Sequence, residues 1–74
     1  MPYFSNDELP PSVRHHLPQQ AQTIYREAFN HAWQSYARDI RREEIAHRVA
    51  WAAVKHRFYK REGGVWDRLP GPLD

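Results

Sequence analysis

The chain has 74 residues, no cysteine, a net charge of +2, and side chains that are 27% charged and 14% aromatic. A domain this small has little apolar surface to bury, so large rings must supply much of its core, and without thiols neither a disulfide framework nor a thiolate metal site can form. The longest apolar run, 49–54, is too short to cross a bilayer, and residues 1–8 lack the basic region and apolar core of a signal peptide, so the expected location is the cytoplasm.

In chain order, Pro2-Tyr3-Phe4-Ser5 reads as a short edge strand and Asn6-Asp7 as a turn, since both side chains can bond local amides. Pro10-Pro11 opens a short helix, and Pro18 ends it near Leu17. The spacing of Ala21, Ile24, Tyr25, Ala28, Phe29, Ala32 and Tyr36 predicts a helix over 19–38 with one apolar face. Arg26, Glu27, Asn30, His31 and Gln34 fall opposite, and Trp33 flanks the apolar edge.

A third helix is expected over 41–60, with Asp39 as its N-cap, Glu43 and Glu44 in its first turn, and Lys60 and Arg61 at its end. Apolar residues cover most of its circumference and leave a narrow stripe of Arg41, Glu44, Arg48 and Lys55, which predicts a central helix. Gly63-Gly64 should end it in left-handed geometry. Residues 65–69 read as a strand beside Tyr3-Phe4, and 70–74 as a fraying tail outside a single domain of 1–69. The expected fold is mainly α: a short helix plus two longer antiparallel helices, with a minor β-strand pair from the two termini.

No Gly or Pro occurs between Gln19 and Glu62, a stretch of about 66 Å if it were one straight helix. It must therefore fold back or pair with another chain. Residues 37–40 contain no strong breaker, which leaves both a monomeric hairpin and a swapped homodimer open.

Charge is unevenly distributed. Residues 1–40 hold three arginines against four carboxylates, a net of −1. Residues 41–61 hold seven cations against two carboxylates, +5. Residues 62–74 hold one against three, −2. Arg41, Arg48 and Lys55 recur every seven residues along one side of the third helix, and Arg57, Lys60 and Arg61 extend the charge toward Trp66. These residues form the candidate partner-binding surface. Arginine forks suit carboxylate or phosphate and an exposed ring can stack on a base, so a protein partner and nucleic acid are both compatible; the plain alternative is long stems covering Trp51 and Phe58 with wet heads.

No other constellation carries chemistry. Glu44-x-x-His47 has the spacing of one half of a carboxylate di-iron site, but such a site needs a second copy and further carboxylates, and only Glu27 with His31 is at hand. The simpler role for Glu44 is pairing with Arg48 at i+4. His56 falls on the apolar arc and reads as a hydrogen-bonded core histidine, with a pH switch as the alternative. His15 and His16 read as exposed. No nucleophile–base pair, phosphate loop or dinucleotide fingerprint is present, so neither an enzyme nor a cofactor is expected.

The linked blocks Met1-Pro2-Tyr3, Leu9-Pro10, Ser12-Val13, Leu17-Pro18, Ala21-Gln22, Ile24-Tyr25, Glu27-Ala28-Phe29-Asn30, Ala32-Trp33, Arg42-Glu43-Glu44, Ala46-His47, Val49-Ala50-Trp51-Ala52-Ala53-Val54-Lys55 and Tyr59-Lys60 with Trp66 resemble the ChaB family in order and spacing over residues 1–68. The resemblance implies a small, largely helical fold with a minor β element. It also implies a cation transport regulator acting on a sodium/calcium–proton antiporter, so that the protein partner would be the cytoplasmic face of that antiporter. Relatives in insect viruses, and members joined to nucleic-acid-binding modules, imply DNA binding as a rival role. Two features depart from the family pattern: the join before Arg42 is short, and the chain ends Leu69-Pro70-Gly71-Pro72-Leu73-Asp74 without a basic tail.

Overall fold

Tyr25 and Phe29, one turn apart on one helix, lie against a stripe of small residues, Ala46 and Ala50, on the next, and this seam organises the molecule. In the computed structural model, which describes residues 2–64 and 66–69, the chain runs through a 3₁₀ turn at Asn6–Glu8, α1 (Pro11–Arg14), α2 (Gln19–Ser35), α3 (Arg42–Lys55), β1 (Phe58–Lys60) and β2 (Trp66–Arg68). Fold class is as expected: mainly helical with a minor β pair.

The α2 stripe Ala21, Tyr25, Phe29 and Ala32 is fully buried, and so is the α3 stripe Ala46, Ala50 and Val54. Both follow the spacing of three or four that keeps side chains on one helical face. Small residues on α3 allow close approach, and the rings of α2 fill the space. His47 completes the seam. Its ring lies 4.7 Å from that of Phe29, and its Nδ1 shares a hydrogen bond with the Tyr25 hydroxyl. Burial pushes the imidazole below its ordinary pKa, against the opposing pull of Glu43, and pushes the Tyr25 phenol upward. Two neutral groups therefore share this bond at the edge of the core.

The longest extent of the chain is 39 Å, well short of the straight rod. The join is not helical. Asp39 N–H bonds the Tyr36 carbonyl, Arg42 N–H bonds the Asp39 carbonyl, and the Asp39 carboxylate accepts the Arg41 N–H at 2.8 Å. Asp39 thus stabilises the turn before α3 and does not cap the helix directly; Arg41 occupies the N-cap position. Arg42 then reaches back over the turn, donating from Nε to the Trp33 carbonyl at 2.6 Å while its guanidinium lies 3.9 Å from the Trp33 ring centre. The hairpin closes within one chain, so the unbroken helix that made exchange attractive is not present.

Side chains from α2 fix the N-terminal arm. Asn30 Oδ1 accepts the Tyr3 N–H and its Nδ2 donates to the Tyr3 carbonyl, both at 2.8 Å. Asn6 donates to Gln19 and Thr23 and accepts from Arg26. This corrects the edge strand expected at 2–5: the Asn30 amide takes both backbone groups of Tyr3, and the Tyr3 ring packs 4.8 Å from Phe29. Asn6 likewise turns toward α2 instead of capping its own turn. Gln22 is 7% exposed, and its amide nitrogen donates to the carbonyls of Leu17 and Arg14, satisfying the end of α1 where no helical partner exists.

Further expectations for the third helix and the segment after it are corrected. It ends at Lys55, not Lys60, because Phe58–Lys60 pairs antiparallel with Trp66–Arg68, with Phe58 opposite Arg68 and Lys60 opposite Trp66. The strand at 66–68 therefore meets this segment and not Tyr3-Phe4. Gly63 and Gly64, at φ +88 and +85, turn the hairpin instead of closing the helix. His56 is exposed at the helix C-cap and not buried, since the helical period stops one residue before it. Finally, the helix buries one stripe only: Val49 is 37% exposed and Ala52 lies open. Val65 and the tail expected at 70–74 lie outside the described residues.

Two predictions test the seam. Phe29→Ala should cost about 3–5 kcal/mol, a large part of the stability of so small a domain, read as a lower urea midpoint. Stability should also depend on pH through His47. Its folded pKa lies below the ordinary 6.5, so the unfolded chain takes up the proton first. Its contribution is full above pH 6.5, falls as pH drops below that value, and levels out once the native imidazole is protonated. The urea midpoint should drop between pH 7.5 and 5, and His47→Gln should flatten that drop.

Candidate functional site

Of the expected surface residues, the structure draws some into pairs and others into a cleft. Arg41 Nη2 lies 2.9 Å and Arg48 Nη2 3.1 Å from the same Glu44 oxygen, because i+3 and i+4 positions stand one turn away on a helix. The Arg41 hydrogen bond, and then its charge, holds the Glu44 carboxyl below the usual carboxylate range. Glu44 therefore serves these two arginines, while His47, three residues on, points to Tyr25. The two halves of the Glu-x-x-His spacing are engaged with different partners. Arg61 pairs with Asp67 across the hairpin at 3.2 Å. All three ion pairs are well exposed, and such pairs contribute little to stability. Their effect is on the surface: they neutralise part of the basic row.

Among the described residues, the side chains of Lys55, Arg57 and Lys60 make no hydrogen bond or ion pair. Two of them meet at one place. Lys55 from the last turn of α3, Lys60 from β1, Trp51 from α3 and Trp66 from β2 line a cleft of about 480 Å³, together with Ser12, His16 and Gly64. The volume falls in the range of ligand-sized clefts. The indoles of Trp51 and Trp66 are 5.4 Å apart and tilted by 33°. Trp51 also meets Tyr25 edge-on at 5.1 Å, which ties the cleft wall to the core. Trp66 N–H donates to the His16 carbonyl at 3.3 Å and docks β2 beside α1. His16 Nδ1 donates to the Ser12 carbonyl at 2.7 Å. His15 and His16 are both exposed, as expected.

The expected row is thus divided: Arg41 and Arg48 stand with Glu44, Lys55 and Lys60 with Trp66 at the cleft, and Arg57 with Phe58 in a separate recess. Sequence reasoning included Trp66 but missed Trp51 as a cleft wall, because helical periodicity assigns it to the core. It also missed Ser12 and His16, whose approach depends on how β2 returns. No local signal in the sequence marks that approach.

The positive φ of Gly63 and Gly64 makes the turn a direct test of cleft assembly. A Cβ at Gly64 would sit 3.7 Å from His16 Cδ2, an ordinary contact, so any cost there is conformational. Gly64→Ala should cost about 1 kcal/mol in chemical denaturation and shift the tryptophan emission as Trp66 loosens.

The family model described as ChaB matches residues 9–68. The chain is 50% identical over 74 residues to the "Putative cation transport regulator ChaB" of Escherichia coli K12, covering 92% of this chain and 97% of that protein. The same identity and coverage hold for the proteins of that name from Escherichia coli O157:H7 and Shigella flexneri. An NMR solution structure of a protein with the same name superposes with a TM-score of 0.83 at 50% identity, covering 92% of this chain and 99% of that one.

Proposed function

Because this chain belongs to the ChaB family, we propose that it is a non-enzymatic cytoplasmic regulator that holds an acidic segment of a protein partner in the Trp51–Trp66 cleft. The relatives are named for regulating cation transport, and in this reading the partner is the cytoplasmic face of a sodium/calcium–proton antiporter. One observation carries the assignment: two half-buried indoles and two lysines without partners among the described residues converge on one cleft. Tryptophan supplies a large contact area at low entropic cost and dominates many interfaces, and the lysines select carboxylates.

The charge pattern favours an acidic protein segment over nucleic acid. Glu44 engages Arg41 and Arg48, and Asp67 engages Arg61, so the row that would follow a phosphate backbone is interrupted. Duplex binding draws its affinity from several phosphate contacts in sequence.

The test uses labelled peptides from the antiporter's acidic cytoplasmic loops. Lys55→Glu with Lys60→Glu should weaken binding by about tenfold or more. Arg48→Glu, which alters a residue already paired, should change it much less. Peptide affinity unmoved by the Lys55–Lys60 double variant would remove this surface. Micromolar binding to duplex DNA that falls about a hundredfold between roughly 50 and 200 mM salt, with no peptide binding, would transfer the surface to nucleic acid.

A further inference from the structure

A second recess lies on the α2 side of the β-hairpin, separate from the tryptophan cleft. It holds about 280 Å³ between Gln20, Thr23 and Ile24 of α2, Arg57 and Phe58, and Arg68 of β2. The strand register sets its geometry: Phe58 stands opposite Arg68, and Leu69 N–H donates to the Arg57 carbonyl at 2.8 Å. Two guanidinium groups therefore border one small volume, and no carboxylate lines it.

Neither arginine is neutralised within the described chain. The Arg57 side chain has no partner there. Arg68 Nη1 makes only a 3.4 Å contact with Gln20 Oε1. The nearby Asp67 alternates to the other face of the strand, where it holds Arg61 at 3.2 Å. Like charges beside one recess repel unless an anion lies between them. Guanidinium forks match the oxygens of phosphate bidentately, and they lose less hydration on burial than an ammonium. Gln20 Oε1 faces Arg68, which leaves its amide nitrogen as a third donor. Ile24 and buried Phe58 provide an apolar wall against which the carbon part of an ester can rest.

We propose that this recess binds a phosphate monoester, with Arg57 and Arg68 on its oxygens and its organic group against Ile24 and Phe58. The group can come from a soluble metabolite or from a lipid headgroup, and the same chemistry recognises both. The site is independent of the partner cleft, since Lys55, Lys60 and Trp66 take no part in it.

Glycerol 2-phosphate would be titrated into ¹⁵N-labelled protein, with inorganic phosphate alongside, and sedimentation with phosphatidic acid vesicles would be measured in parallel. Amide shifts are expected at Gln20, Thr23 and Ile24, with the ester binding more tightly than inorganic phosphate. Arg57→Gln and Arg68→Gln should each weaken binding by about tenfold, Arg57→Lys should restore it only in part, and Lys55→Gln with Lys60→Gln should leave it unchanged. Sedimentation abolished by Arg57→Gln, without a response to the soluble ester, would support the site with a lipid source. Shifts confined to Lys55, Lys60 and Trp66 would overturn the proposal, as would no response to either source, or binding indifferent to both arginine variants. Far-UV circular dichroism checks folding. If Arg68→Gln disturbs the hairpin, Arg57→Gln decides alone, because Arg57 lies outside both strands.

Discussion

Everything in this molecule hangs on the seam in which Tyr25 and Phe29 of α2 pack against Ala46, His47 and Ala50 of α3. Alanines on one helix permit close approach, and the rings of the other fill the gap that approach leaves. The Tyr25–His47 hydrogen bond lets two polar atoms enter this core without an unmet partner. Trp51 leans on Tyr25 and Trp66 leans on Trp51, so the tryptophan cleft is an outward continuation of the same stack of rings. Loosening the seam would therefore disturb the cleft even though none of its core residues reaches the surface there.

A domain without disulfides has to hold its short segments by other means, and here side-chain amides do that work. Asn30 captures the backbone of Tyr3, Asn6 ties the 3₁₀ turn to α2, and Gln22 closes the end of α1. Arg42 adds a clasp over the turn between the long helices, combining a hydrogen bond to the Trp33 carbonyl with stacking on its ring. Among the described residues no helix has a side-chain N-cap bond, so fixing the segments falls to these longer connections. They stabilise arrangement more than any single helix.

The net +5 of residues 41–61 overstates the charge available to a partner. Glu44 and Asp67 occupy three of the cations, Arg42 lies over Trp33, and the remaining three divide between the tryptophan cleft and a separate recess beside Phe58. One side pairs lysines with indoles, the other pairs arginines with an apolar wall. Point charges beside large rings suit a flexible acidic peptide, whereas planar forks beside a small recess suit a compact oxyanion.

Sequence by itself determined the helical class, the proline-marked short helix, most of the buried face of the first long helix and the basic character of residues 41–61. These follow from local spacing, and a period of 3.6 is written in the chain. It also carried the Glu44–Arg48 pair, since i+4 neighbours meet on any helix. Tertiary structure alone decided that α3 stops at Lys55, that Phe58–Lys60 becomes a strand and that its partner is Trp66–Arg68 and not Tyr3-Phe4. Aromatic residues serve helix or strand equally well, and the choice falls to whichever backbone partner the fold brings alongside. For the same reason His47, on an unremarkable position of the helical wheel, became the half-buried histidine of the seam, and His56, on its apolar arc, was left in solvent: burial is fixed by what packs against a residue, and no local period records that.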